Sequence, residues 1–261
     1  MKTFELPNKI VWRGFELESP EKAFYPSFYK EFSKKEAFFE ENFRFEFANA
    51  DKDNLNSLFF PLYKEEIMSR EDYTMDRNKI LLDLEKKISA DQNHKFLFIY
   101  HKQELIYALL FTLKKGGLFF GYRAFKRHTE KSNLRGATVS YWAEKLVFDF
   151  GKNNGITFFS RGKDSHPFEG RKRIGLPLFK LKTGMKPKEP EAGTPFETTL
   201  LSEDDIKNKQ KPYLFFSDKN ASGMFTVCNL YYPSESLDKS LINEFRKVVA
   251  WSGLEFNEVA Y

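Results

Sequence analysis

His166, Lys180, Glu46 and Asp164 are the side chains in this sequence best suited to move a proton or steady a charge beside a reacting group. His166 lies in the polar, basic run from Arg161 to Arg173, and an imidazole takes up a proton near neutral pH. Glu46 and Asp164 are the carboxylate alternatives as general base; each also reads as an ordinary surface acid. Lys180 offers a cation for a phosphate or a carbonyl oxygen, or else a solvated ammonium. Arg161, Lys163 and Asp164, continued by Arg171, Lys172 and Arg173, suit a phosphorylated substrate or tRNA, which a basic loop attracts by charge. The single cysteine, Cys228, sits in the apolar run Met224 to Leu230 and reads as core. His94, His101 and His128 are scattered, so the sequence predicts no metal site. No Ser/His/Asp or Cys/His arrangement for covalent catalysis stands out.

These residues need elements to position them. The central feature is a strand, Leu118 to Ala124, leading through Ser132-Asn133-Leu134-Arg135-Gly136-Ala137 into a helix from Thr138 to Lys152. A helix start preceded by a basic, glycine-containing turn holds phosphates, because free backbone N–H groups and the helix dipole both favour an anion there. Tyr122, Arg123, Arg135, Gly136, Ala137 and Thr138 are therefore the predicted cofactor-binding residues. The helix itself is signalled by Val139, Trp142, Ala143, Leu146, Val147 and Phe150 on one stripe, which makes Trp142 core. Before it come strand-like runs at 43–48, 95–100 and 104–113, with helical spacing at Leu55, Leu58, Phe59 and Leu62 and again at Ile80, Leu81, Leu84 and Ile88. After it come a strand at 156–159, the polar loop 161–173, a short strand-like island at 196–200, a hairpin built from 212–216 and 224–231, and a closing helix around Leu237 to Val249. Antiparallel strands passing into a strand–helix–strand crossover predict a mixed sheet and an α+β fold class.

Composition narrows the class. The chain has 261 residues, 30 of them Phe and 12 Tyr, so a bulky aromatic core is expected. A formal net charge of +5 suits an anionic ligand, although acidic and basic residues are interspersed. No apolar run approaches the roughly 20 residues that span a bilayer, and the N-terminus lacks an apolar signal core. A soluble, cytoplasmic protein with neither membrane nor DNA as partner is expected.

The element order resembles the Gcn5-related N-acetyltransferase (GNAT) fold over roughly residues 43–186, and Phe179-Lys180 followed by Gly184 resembles the Phe-Lys…Gly ending of its FemABX-like branch. The resemblance implies a splayed, mixed, mostly antiparallel sheet flanked by helices, with a core at 43–186, an N-terminal extension at 1–42 and a C-terminal addition at 187–261. It implies an acyltransferase that takes an acyl group from acyl-CoA, such as acetyl-CoA, to the primary amine of a small-molecule or peptidyl substrate. An oxyanion donor would come from a backbone N–H near Phe120-Gly121-Tyr122. The chain departs from the family pattern in two places. Its phosphate loop is reduced to Arg135-Gly136-Ala137, and Phe179 or Lys180 stands where a tyrosine acid is usual. Two alternatives stay open: a FemX-like transferase using aminoacyl-tRNA, and a non-catalytic GNAT-fold binding protein.

Overall fold

In a computed structural model of the protein, residues 2–15, 20–69, 76, 79–126, 136–190 and 196–261 are described. The chain opens with strands β1 (Thr3–Pro7) and β2 (Lys9–Phe15), then helices α1 (Pro20–Ala23), α2 (Pro26–Ser33) and α3 (Glu36–Asn42). Strand β3 (Phe43–Asn49) leads to α4 (Lys52–Asn54) and α5 (Phe60–Tyr63), which alternate with π-helical turns Leu55–Phe59 and Lys64–Met68. Helix α6 (Lys79–Ala90) precedes the meander β4 (His94–His101), β5 (Glu104–Lys114) and β6 (Gly117–Phe125), and helix α7 (Gly136–Asn153) follows. Then come β7 (Phe158–Ser165), β8 (Phe168–Glu169), α8 (Arg171–Lys182), β9 (Met185–Lys188), β10 (Thr198–Ser202) and α9 (Glu203–Asn208). The chain closes with β11 (Tyr213–Lys219), β12 (Phe225–Tyr232), α10 (Lys239–Trp251) and β13 (Glu255–Ala260). The class is mixed α+β, with mostly antiparallel sheet flanked by helices. No helix among the described residues is long and apolar enough to cross a membrane.

Two compact units divide the chain: Ser27–Phe159, and Met1–Pro26 together with Ser160–Tyr261. This differs from the expected partition at 42/43 and 186/187. The reason is strand pairing: β1 pairs antiparallel with β10 and β2 with β9, so the first strands belong with the chain beyond residue 159.

Within Ser27–Phe159 the strands run β3-β4-β5-β6, each antiparallel to the next. In β4 five consecutive residues, Phe96 to Tyr100, are buried. That continuous apolar run, rather than strict alternation, is what a strand covered on both faces requires. Phe96, Phe98 and Tyr100 join the cluster of Leu55, Phe59, Leu62, Ile80, Leu84 and Ile88 from the helical layer 52–90. The opposite face receives α7. Its Trp142 ring stacks on Phe39 at 5.3 Å and meets Phe45 edge-on at 5.7 Å, and Phe150 stacks on Phe47 at 4.3 Å. The stripe read from the sequence is the packed face: Val139, Trp142, Ala143, Leu146 and Val147 are all buried.

In the other unit the strand order β13-β12-β11-β8 forms one sheet, and β7-β2-β9 lie side by side. The expected hairpin is β11–β12, and the expected closing helix is α10. Strand β13, not anticipated, returns parallel to β12 after α10. The expected strand at 156–159 begins two residues late, because Ile156 N–H closes onto Gly151 O (2.9 Å) and Thr157 N–H onto Gly116 O (2.8 Å) in the turn after α7. It then runs on to Ser165, through residues read from their polarity as loop. The remainder of that loop is helical from Arg171.

Replacing Trp142 with Ala empties the contact between α7 and the sheet. A loss of about 3–5 kcal/mol is expected in urea unfolding; a loss below about 1 kcal/mol contradicts this packing.

Candidate functional site

The cofactor-binding residues expected from the sequence lie along β6 and the start of α7. Leu109 pairs with Arg123 and Phe111 with Phe120, so Gly121 and Tyr122 together oppose the single residue Leu110. This is a β-bulge: one residue too many on β6, which bends the strand and takes a peptide unit out of the regular ladder. Gly121 is required there, because a Cβ at this position would lie 2.8 Å from the Leu110 carbonyl oxygen. The Lys87 ammonium lies 4.9 Å from the centre of the Tyr122 ring and 3.5 Å from its hydroxyl oxygen. Arg123 reaches the buried Glu144 of α7 at 4.0 Å, tying the bulged strand to the helix. Gly136, Ala137 and Thr138 form the first turn of α7. Arg135 lies outside the described residues.

Glu46, in the same unit, is drawn into β3. Its carboxylate accepts a hydrogen bond from Tyr100 Oη at 3.0 Å, while the Arg44 guanidinium covers the Tyr100 ring at 4.6 Å. Burial, and next the bond to Glu46, push the Tyr100 phenol up to about 12. The carboxylate acts here as a fixed acceptor, and no base role is assigned to it.

In the other unit the structure brings two candidates together. Lys180 is buried on α8, and its Nζ donates to Asp164 Oδ2 at 2.5 Å. The same oxygen accepts from Trp12 Nε1 at 2.8 Å, and the ammonium lies 5.3 Å from the Trp12 ring centre. Two buried donors thus share one carboxylate, an arrangement that offsets the cost of taking an ammonium out of water. Trp12 was missed from the sequence: its signal was only the apolar run Ile10-Val11-Trp12, and 152 positions separate it from Asp164. Arg161 covers the Phe179 ring at 5.0 Å, and Lys163 is exposed. The Phe179-Lys180…Gly184 pattern therefore has a local explanation. Phe179 stacks, Lys180 pairs, and Gly184, at φ 76°, ends α8 in the left-handed region, where a Cβ would meet the Ala23 carbonyl oxygen.

His166 is placed differently from the expected loop base. It is 3% exposed, its Nδ1–H donates to Pro7 O at 2.8 Å, and Nε2 accepts from Phe216 N–H at 2.9 Å. Those partners fix the neutral tautomer and occupy both nitrogens. Burial pushes the group down to about 4, against which the bond to Pro7 works only in part. The imidazole is a core connector between β1 and β11, and no proton-transfer role is assigned to it.

No protein-family model matches the chain, and no curated protein matches it. Solved structures do resemble it. The structure of FemX aligns with a TM-score of 0.51 at 9% identity, over 70% of this chain and 60% of that one. L-PGS from Bacillus licheniformis aligns at 0.40 and 13% identity, over 61% and 48% of the two chains. A probable acetyltransferase from Staphylococcus epidermidis ATCC 12228 aligns at 0.38 and 12%, over 61% and 96%. The FemX likeness concerns the fold alone: this chain folds like FemX, consistent with the expected GNAT-like, FemABX-like fold. The chain spans 60% of the length of FemX.

Two outcomes follow for the buried polar groups. Lys180→Met is expected to lose about 3–5 kcal/mol in urea unfolding. Adding Asp164→Asn, which keeps an acceptor for Trp12, should recover part of that loss; strictly additive losses contradict the pairing. For His166, the unfolded chain takes up a proton near the ordinary value of 6.5 while the folded chain resists until about 4. Stability is therefore full above pH 6.5 and falls as the pH drops through that window, by on the order of 3 kcal/mol. His166→Gln should be less stable at pH 7.5 but flatter between pH 6.5 and 4. An unchanged slope would rule out His166 as its source.

Proposed function

We propose that the protein is a GNAT-type acyltransferase that moves an acyl group from acyl-CoA, such as acetyl-CoA, to the primary amine of a small-molecule or peptidyl acceptor. The observation that supports this most is the bulge of β6 at Gly121-Tyr122, on the strand that precedes α7. A peptide unit released from its ladder supplies an N–H fixed in place for the oxygen of an acyl carbonyl, and a preset donor at that oxygen stabilises the charge that develops on it. The first turn of α7 supplies further N–H groups for the diphosphate of the donor. The glycine lets β6 close onto Leu110 O, which holds the bulged peptide unit in place.

In this reading the amine enters neutral and its nitrogen attacks the thioester carbon. The C–N bond forms, the carbonyl electrons collapse back and expel the thiolate, and the ammonium proton passes to water. Positioning supplies most of the rate, and no enzyme-bound acyl intermediate arises. Neither His166 nor Glu46 is needed.

A second reading keeps the FemX-like fold and takes aminoacyl-tRNA in place of acyl-CoA as donor. Here the cations Arg161 and Lys163 bear on the RNA. Calorimetric titration with acetyl-CoA and with tRNA separates the two. Binding of tRNA alone, weakening steeply with salt, replaces the first reading by the second; binding of neither ligand leaves a non-catalytic fold. For the first reading, Gly121→Val is expected to lower acyl transfer by about 100-fold while the circular dichroism spectrum stays unchanged. Full activity in that variant removes the bulge from the mechanism.

A further inference from the structure

The strand β3 ends the order β3-β4-β5-β6, and no described strand lies beyond it. A free edge offers a row of unpaired N–H and C=O groups, which proteins ordinarily protect with proline, lysine or a bulge. This strand, Phe43-Arg44-Phe45-Glu46-Phe47-Ala48-Asn49, carries no proline and no lysine, and its register with β4 is unbroken. Instead it exposes an aromatic side chain: Phe45 is 43% exposed. Phe38 on α3, with its ring 6.2 Å from Phe43, is 40% exposed and extends the apolar patch.

The ladder phase says which residues face outward. Ala50 N–H donates to His94 O at 3.1 Å, and the register places those two residues opposite one another. Antiparallel pairs alternate between bonded and non-bonded, so Ala48, Glu46 and Arg44 bond to β4. Phe45 and Phe47 then turn both backbone groups to the free edge; Phe43 turns its carbonyl there, its N–H being held by Phe39 O at the end of α3, and the Asn49 carbonyl accepts from Asn54 Nδ2 at 3.2 Å.

We propose that this edge pairs with β3 of a second copy of the chain, antiparallel about a two-fold axis at Phe45. That register uses both outward groups of Phe45, the N–H of Phe47 and the carbonyl of Phe43. It sets Phe45 opposite its own copy, and Phe43 opposite Phe47 of the partner subunit. On the other face it sets Arg44 opposite Glu46 of the partner subunit, in the non-bonded pair where side chains come closest. Both charges already lie on that face, held by Tyr100. The strand is thus self-complementary in charge, in aromatic pairing and in hydrogen-bond phase. Such an interface is isologous and closes on itself, which stops the edge from extending into a fibre. It stands independently of the catalytic reading above.

The test uses the full chain in analytical ultracentrifugation over a range of concentrations. The wild type is expected to sediment as a dimer. Arg44→Glu alone sets like charges opposite each other, as does Glu46→Arg alone, and each should weaken dimerisation by about tenfold or more. An equimolar mixture of the two variants restores opposite charges in both pairs and should dimerise again. Phe45→Cys provides a measurement that does not depend on those charges. Cα atoms in a bonded antiparallel pair lie about 5.5 Å apart, within disulfide range, and Cys228, the native cysteine, is buried. Mild oxidation should crosslink Phe45→Cys and leave Leu82→Cys, also exposed, uncrosslinked. A wild type that stays monomeric at every concentration overturns the proposal. So does a mixture that fails to regain what the folded single variants lost, or equal crosslinking at both cysteines.

Discussion

The Leu110 carbonyl and the missing side chain of Gly121 together set the course of β6. Oxygen and glycine approach so closely that a Cβ would stand 2.8 Å from the oxygen, and Gly121 and Tyr122 share one opposing residue. Without that accommodation β6 would run in register with β5 to its end. With it, the strand bends just before the segment that leads to α7. The aromatic contacts of Trp142 and Phe150 then hold α7 against the sheet. A strand bent at one glycine and a helix fixed by two rings make up the part of the molecule on which the proposed chemistry stands.

The unit formed by Met1–Pro26 and Ser160–Tyr261 handles buried polarity in two ways. At Lys180 the charge is retained and matched by Asp164, with Trp12 donating to the same oxygen. At His166 the charge is abandoned: a carbonyl and an amide fix the neutral ring, and the surrounding Phe168, Phe216 and Phe225 make protonation costly. Both groups looked available for chemistry as sequence, because an isolated histidine or lysine in a polar run says nothing of its partners. The partners are Pro7, Phe216, Trp12 and Asp164. Of these, Pro7 and Trp12 are more than 150 residues distant from the groups they bind.

Periodicity was the legible part. The α7 stripe, the three-strand meander before it and the β11–β12 hairpin follow from spacing alone, because each is a local element with a single buried face or a continuous buried run. The polar stretch after Phe159 misled for the opposite reason. Arg161 to Ser165 form a strand because β2 lies beside them, and His166 N–H reaches Asn8 O at 2.9 Å. Backbone pairing of that kind is indifferent to side-chain polarity, so polarity did not reveal it. Helix α8 contains Pro177, a residue that usually argues against a helix. Strand β1 pairs with β10 and β2 with β9, each more than 150 residues later, which no window of the sequence could display. Of the site, Gly121 and the start of α7 were identified by their place in the strand–turn–helix order. The bulge that gives Gly121 its meaning depends on register and is visible only in the paired strands.

Donor recognition is proposed to lie at the β6 bulge and the first turn of α7. Amide-resolved NMR of the uniformly ¹⁵N-labelled chain, titrated with acetyl-CoA, tests it most directly. Shifts concentrated at Gly121, Tyr122, Arg123, Gly136 and Ala137 are expected. Shifts confined to residues of Ser160–Tyr261, with those amides unmoved, would contradict it.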